Sequence, residues 1–279
     1  MKVAIIGGTG KMGRWFTKFF LDEGMQVIVS GRSKEKLLKI RDELGAEIAD
    51  NVNAVKSAER VLISVPIENF EDVVREIHPH IGPDQVVMDI CSVKEFPVKV
   101  MHEYIKTGTT LGTHPMFGPD AENIQDQNFI LTPTITKERK FAEDFKTWLE
   151  KRQVNVSIMS PRKHDELMSV VLGLPHFIGI VVSDTLTDCV DLLETKRAAG
   201  TSYKLLLSLA ERVVSQEPEF CASLQMNLPR VESVEGVFCE KTREWLKAIK
   251  RKDKSTFADK MRVVKAKLER MDARRLAQV

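Results

Sequence analysis

Along the first 160 residues, short unbroken apolar runs take turns with stretches whose apolar residues recur every three or four positions. The runs at 2–6, 27–29, 60–65, 85–90, 128–132 and 154–158 read as strands, and 2–6 has the unbroken apolar character of a strand buried in a parallel sheet. Another apolar strand leads up to Gly112. The stretches between them, including one from about Lys137 to Arg152, have the period of helices lying on a sheet. Repeated strand–helix units predict an α/β fold with a doubly wound parallel sheet, of the Rossmann type. After Ser160-Pro161 the strand signals stop. Ser160 reads as an N-cap with Pro161 in the first helical position, and from there only helical periodicity remains, broken near Gly200, Pro218 and Pro229. The chain therefore divides into a dinucleotide-binding domain, 1–160, and an all-α domain, 161–279. The run 170–182 is apolar nearly all round, which predicts burial on every side and, in so small a domain, a subunit interface. It is too short for a membrane span, and Pro175 and His176 interrupt it.

Composition narrows this picture. A chain of 279 residues favours two domains. A formal charge of +2 carries no signal for nucleic acid or a membrane surface. Basic residues exceed acidic ones between Lys241 and Val279, but on amphipathic helices without aromatic interleaving, so they read as a solvated face. Four scattered cysteines without Cys-x-x-Cys spacing argue against a zinc site and for a reducing compartment. The first strand begins at Lys2, leaving no room for a leader, so a cytoplasmic protein is expected.

The chemistry gathers where strands end. Gly8-Thr9-Gly10-Lys11-Met12-Gly13 stands between a strand and a helix and has the Gly-x-Gly-x-x-Gly spacing. Its glycines permit a tight turn, close approach of a pyrophosphate and close packing of helix on strand, while backbone N–H groups at the helix start bind phosphate. The second strand ends in Ser30-Gly31-Arg32-Ser33, without the acid that an NAD site uses to bond the ribose 2′-hydroxyl. Ser30, Arg32 and Ser33 offer donors instead, and a guanidinium suits a 2′-phosphate, so NADP is expected, with NAD as the alternative. Val65 and Pro66 end the next strand at the same edge and are expected to border the cofactor. Of the six histidines, His114 stands where a strand gives way to a stiff loop on that edge. A nicotinamide site needs a base for the hydroxyl proton that leaves as hydride departs. His114 can be that base, and Ser92 can hold it or the hydroxyl in place.

Asp89-Ile-Cys-Ser92-Val-Lys94, Gly112-Thr-His114-Pro-Met-Phe-Gly118, and His164-Asp165 followed by Leu174-Pro175-His176 resemble the prephenate/arogenate dehydrogenase family, most closely its archaeal members. With the fingerprint, these motifs span almost the whole chain. The resemblance implies oxidative decarboxylation of prephenate to 4-hydroxyphenylpyruvate, or of arogenate to tyrosine, in tyrosine biosynthesis. It also implies a homodimer joined through the helical domain. His114 is then the base and Ser92 its neighbour, Asp120 stands near the site entrance, and His176 and Lys204 face the substrate. Two departures stand out. Gly173 replaces a family histidine, and Tyr203-Lys204-Leu205-Leu206-Leu207-Ser208 lacks the acid and the arginine that grips the ring carboxylate. Arg212 shares a helix face with Lys204 and Ser208 at i, i+4 and i+8, so it is the expected replacement. Two other readings stay open: an NADP-dependent two-domain reductase of the β-hydroxyacid type, with Lys163 as its lysine, and an NADP-sensing regulator without turnover.

Overall fold

A computed structural model describes residues 1–189 and 191–276, with side chains as far as Met271. Among them, eight strands form one sheet: β1 (Lys2–Ile6), β2 (Gln26–Ser30), β3 (Glu47–Ile48), β4 (Arg60–Ile63), β5 (Val86–Asp89), β6 (Thr109–Pro115), β7 (Asn128–Thr132) and β8 (Asn155–Ile158). Their order is β3-β2-β1-β4-β5-β6-β7-β8. The first six are parallel and have the Rossmann order, with its switch point between β1 and β4. The last two run the other way, β7 antiparallel to β6 and β8 parallel to β7.

Helices α1 (Lys11–Asp22), α2 (Lys34–Leu44), α3 (Asn51–Lys56), α4 (Phe70–Ile77), α5 (Glu95–Tyr104) and α6 (Thr136–Glu150) connect the strands. Successive strand residues point to opposite faces, so the sheet carries two cores. Ile5, Leu62, Met88 and Leu111 pack with Phe16, Phe20 and Phe145 on one side. Ile6, Ile63 and Val87 pack with Phe70, Val74 and Met101 on the other. The two-residue strand β3 carries no apolar run, which is why the sequence pattern does not predict it.

The expected end of a strand at Gly112 needs correction. Parallel pairing with β5 stops at the Asp89–Gly112 pair, but antiparallel pairing with β7 continues through Thr113, His114 and Pro115. β6 therefore overshoots its parallel neighbour, and His114 is strand residue and edge residue at once.

Strands end at Ile158 and helices follow: α7 (Pro161–Met168), α8 (Leu174–Cys189), α9 (Leu192–Arg197), α10 (Thr201–Val214), α11 (Pro218–Asn227), α12 (Val231–Lys250) and α13 (Lys254–Leu276). Contacts divide the chain later than this change of class, into compact units Met1–Pro229 and Arg230–Val279. In the second unit α12 and α13 form a hairpin, with Trp245 edge-on to Phe257 at 4.9 Å and Lys260 paired to Glu244 at 3.1 Å.

Two expectations about the 170–182 run are overturned. Pro175 and His176 do not interrupt the helix. A π turn over Ser169–Gly173 joins α7 to α8, widening the coil where the Pro175 ring would meet a carbonyl of the preceding turn. The continuous helix Pro161–Cys189 has mean hydropathy 1.7 over its apolar window and is long and apolar enough, by length and composition, to cross a membrane. Within one chain only 22% of that window is covered, and Val170, Val171, Ile180 and Val181 are exposed, so this chain alone does not bury the run.

Away from the cofactor edge, Glu138 on α6 is buried and accepts from His102 at 2.6 Å and from the Thr134 N–H at 2.7 Å. Burial raises its pKa, but hydrogen bonds from His102, Thr110 and Thr134 outweigh this and bring it down to about 2. The bond to Glu138 raises the pKa of His102 in turn. A depressed carboxylate pKa stabilises the fold above the unfolded value and is lost on acidification. A raised imidazole pKa stabilises below its unfolded value and is lost on alkalinisation. The pair therefore contributes most between about pH 4.5 and 6.5. Glu138→Gln should cost roughly 1–3 kcal/mol near pH 5.5, and less toward pH 2 and above pH 7. Urea unfolding across pH checks this, and a pH-independent difference would refute it.

Candidate active site

The cradle at the end of β1 is shaped by what each glycine touches. Gly7 has φ +80°, and a Cβ there would lie 2.4 Å from the Ser64 carbonyl and 2.7 Å from Val65, which places the end of β4 against the turn. Gly7 and Gly8 donate to the Ser30 carbonyl at 3.1 and 3.0 Å, tying the turn to β2. A Cβ on Gly13 would lie 2.6 Å from the Gly8 Cα, so only glycine lets α1 sit this close to the strand. Gly10 differs. A Cβ there would meet nothing nearer than 3.5 Å. As N-cap of α1 it supplies no side chain, and no acid follows in the first turn. Among the described residues the N–H groups of Lys11, Met12 and Gly13 have no hydrogen-bond partner, and the positive end of the helix dipole lies behind them. These residues fit a dinucleotide pyrophosphate.

At the end of β2, Thr9 lies under Gly31, where a Cβ would start 2.8 Å away. Ser30 is fully buried and its Oγ is unpaired. Ser33 Oγ caps α2 by accepting from the Lys36 N–H at 3.3 Å. Arg32 is exposed and has no ion pair among the described residues, so of the three it is the one with its whole donor set open. Pro66 is exposed beside half-buried Val65.

His114 lies 5% exposed at the end of β6. Its Nδ1 is 2.7 Å from Nε2 of His164, a residue 50 positions later on α7. His164 is fully buried, and its Nδ1 is 2.6 Å from Asp165 Oδ1. The same carboxylate accepts from the N–H groups of Lys94 at 2.7 Å and Glu95 at 2.9 Å, so a residue of α7 caps the start of α5. Lys94 is itself fully buried. Its Nζ pairs with Asp89 and donates to the Thr113 carbonyl at 2.6 Å, next to His114. Burial, then the neighbouring His164 and Lys94, push the pKa of His114 well below the ordinary imidazole value. Burial likewise lowers that of His164 against the opposing pull of Asp165. His114 Nε2 has no partner among the described residues and is not among the sealed-in unpaired polar atoms, so it is the ring nitrogen left available. The result is an imidazole biased to its neutral form, with one nitrogen anchored and no partner on the other among the described residues.

Around it, the loop after β6 is held on α1. Phe117 packs 4.8 Å from Trp15, and the Trp15 indole donates to the Ala121 carbonyl at 2.7 Å. Asp120 is exposed in that loop, and Ser92 is half-buried after β5 with no hydrogen bond from its hydroxyl among the described residues. Lys204, Ser208 and Arg212 share helix α10 as the spacing predicts. Arg212 reaches the loop, since a Cβ on Gly118 would lie 3.8 Å from its Nη2. It has no ion pair among the described residues, whereas Lys204 is exposed about 12 Å back along the helix. His176 is bonded through Nδ1 to its own helix at the Leu172 carbonyl, 2.8 Å away, with Nε2 3.3 Å from the Gln216 amide. Sequence reasoning left His164, Asp165, Asp89 and Lys94 out of the site. Adjacent His-Asp early in a helix was the available signal, but nothing local tied it to a strand 50 residues away.

The sheet order and the glycine cradle define a Rossmann protein whose turn fits a dinucleotide. Residues 16–158 match the nucleotide-binding domain of prephenate dehydrogenase, and residues 160–263 match the prephenate dehydrogenase dimerization domain. The chain belongs to the prephenate/arogenate dehydrogenase family. It is 37% identical over 266 residues, 94% of its length, to a probable arogenate/prephenate dehydrogenase of Methanocaldococcus jannaschii, and it covers 60% of that protein. It is 26% identical over 250 residues, 86% of its length, to the T-protein of Haemophilus influenzae, again covering 60%. The chain thus spans about three fifths of the length of these relatives. Its fold resembles the crystal structure of prephenate dehydrogenase from A. aeolicus in complex with hydroxyphenyl propionate and NAD+. The TM-score is 0.79 at 23% identity, covering 97% of this chain and 98% of that one.

The two glycines separate fold from ligand. Gly10→Ala should leave thermal stability unchanged while weakening nicotinamide dinucleotide binding tenfold or more, because its Cβ enters only the space left for phosphate. Gly13→Ala should lower the melting temperature, because its Cβ meets backbone. Calorimetry on both variants is the check. Full binding by Gly10→Ala would place the cofactor elsewhere.

Proposed function

We propose that this protein oxidises prephenate or arogenate, transferring hydride to a nicotinamide and releasing the ring carboxylate as carbon dioxide, with NADP preferred to NAD. The observation that carries the reading is His114, a neutral imidazole anchored at Nδ1 and open at Nε2 on the cradle's edge. A bound nicotinamide would supply the hydride acceptor, and aromatisation of the ring drives the loss of carbon dioxide. The protein's own task is orientation, a base and cations for two carboxylates. His114 takes the hydroxyl proton and Ser92 steadies the hydroxyl. Arg212, backed by Lys204, answers the ring carboxylate in place of the missing arginine, with His176 and Asp120 at the borders of the pocket. Arg32 and Ser33 answer a 2′-phosphate.

A second copy of this chain across α8 and α10 completes the assembly. The match to a dimerization domain and the exposed Val170, Val171, Ile180, Val181 and Leu205 support a homodimer. A subunit interface also accounts for the apolar helix without a bilayer, in keeping with a cytoplasmic enzyme. Lys163, the lysine of the β-hydroxyacid reading, is exposed at the first turn of α7, and no observation favours it. A sensor without turnover leaves His114 without a task.

Absorbance of reduced nicotinamide, with prephenate and arogenate each crossed against NADP and NAD, tests the reading directly. Turnover should be highest with NADP. His114→Asn should keep NADP affinity but cut kcat about 10²–10⁴-fold. A loss below about threefold would make His114 structural.

Two arginines separate the two ends of the site. Arg32→Ala should weaken NADP roughly tenfold or more and leave NAD unchanged. Arg212→Ala should raise the KM for substrate by a similar factor without touching the affinity for NADP, each from one lost charge-assisted bond of about 1.5–3 kcal/mol. Unchanged kinetics in either variant would remove that residue from the site.

A further inference from the structure

The bonds around His114 fix more than its position. An ionised carboxylate only accepts hydrogen bonds, so Asp165, which already accepts two backbone N–H groups, must receive its third from His164 Nδ1–H. A neutral His164 then presents a bare Nε2, and the 2.7 Å bond to it requires that His114 donate through Nδ1. The acceptor nitrogen of His114 is therefore Nε2, the one open to the cleft. Charge points the same way. Asp89 and Lys94 neutralise each other by direct contact. That leaves Asp165 as the buried carboxylate whose balancing charge arrives only when the imidazole pair takes up a proton.

We propose that His164 and Asp165 are positioning residues for the base, holding His114 in the Nδ1–H tautomer and carrying the charge of the proton it accepts. The reading rests on the function proposed above. With a bound nicotinamide to accept the hydride, the substrate O–H bond would break and its proton would bond to His114 Nε2. The Nδ1 proton of His114 shifts along the 2.7 Å bond to His164 Nε2. His164 becomes an imidazolium against Asp165 and His114 ends neutral; as the ring carboxylate departs as carbon dioxide its bonding pair aromatises the ring, and the proton returns by the same path to the oxygen, which leaves as the phenol. His164 is fully buried behind His114, so it touches neither substrate nor cofactor. The groups facing the pair are Asp165 on α7, Lys94 at the start of α5, and Asp89 at the end of β5.

Nitrogen-15 NMR of the full-length protein labelled in histidine reads the tautomers without substrate or cofactor. The expected result is protonated Nδ1 on both rings and bare Nε2 on both, with resonances assigned by their loss in His114→Asn and His164→Gln. Protonation of His114 at Nε2 would overturn the proposal, whether or not the protein turns over prephenate. If instead no substrate is oxidised by the wild type, the functional reading fails while the tautomer result stands. Asp165→Asn supplies the second arm. Its kcat should fall about 10²–10⁴-fold with KM and NADP affinity within threefold. The acid limb of its pH profile should move to lower pH by a unit or more, because an imidazole pair that loses its carboxylate binds a proton less tightly. A fall in kcat with the limb unmoved would reduce Asp165 to a helix cap. Should that variant not fold, the wild-type tautomers decide alone.

Discussion

Two carboxylates, Asp89 and Asp165, lie buried at the carboxyl edge of the sheet, and desolvating a charge costs several kcal/mol unless every lone pair is answered. The neighbourhood is the set of groups that answer them. Asp89 takes the Lys94 ammonium and the Cys91 N–H, and Asp165 takes the Lys94 and Glu95 N–H groups and the His164 ring. Because Lys94 serves one carboxylate with its side chain and the other with its backbone, the end of β5, the start of α5 and the start of α7 are locked together. That junction stands immediately behind His114. A buried charge whose partners are fixed also fixes a proton, which lets a histidine here have one defined donor and one defined acceptor.

The other requirement is access, and the pairing of β6 provides it. Past Gly112 the strand has a neighbour on the β7 side only. His114 is held by a ladder on one flank and left free of the parallel sheet on the other, on the same edge as the glycine cradle. The loop that follows is drawn onto α1 by Trp15 and Phe117, and Arg212 meets that loop from α10. Helix α1 thus serves twice, with its N-terminus at the glycine turn and its aromatic face anchoring the loop after His114.

The helical part answers a different constraint. A proline within a long apolar helix removes a donor and crowds the preceding turn, and the chain absorbs both by opening one π turn. The Leu172 and Gly173 carbonyls there take side-chain donors, from His176 and Gln225. His176 is thereby part of the helix's own repair as well as a neighbour of Gln216. The apolar residues left outside on α8 set this helix apart from the central strands β1, β4, β5 and β6, which are covered on both faces within one chain.

The sequence alone determined the alternation of strands and helices and the glycine turn, and it singled out His114. Unbroken apolar runs, Gly-x-Gly-x-x-Gly between a strand and a helix, and a histidine before two prolines are local patterns with local physical causes. It also placed Lys204, Ser208 and Arg212 on one helix face, because helical spacing is a property of the backbone. It missed the end of β6, since the partner that extends it is β7 and not β5. It misjudged the length and continuity of the helix around 170–182, because the π turn that carries a helix through Pro175 cannot be seen along the chain. Above all it left His164, Asp165 and Lys94 out of the site. Their roles rest on burial and on contacts between β5, β6, α5 and α7 across as many as 71 residues, and only the packed fold brings an acceptor-only carboxylate to the ring that decides the protonation of His114.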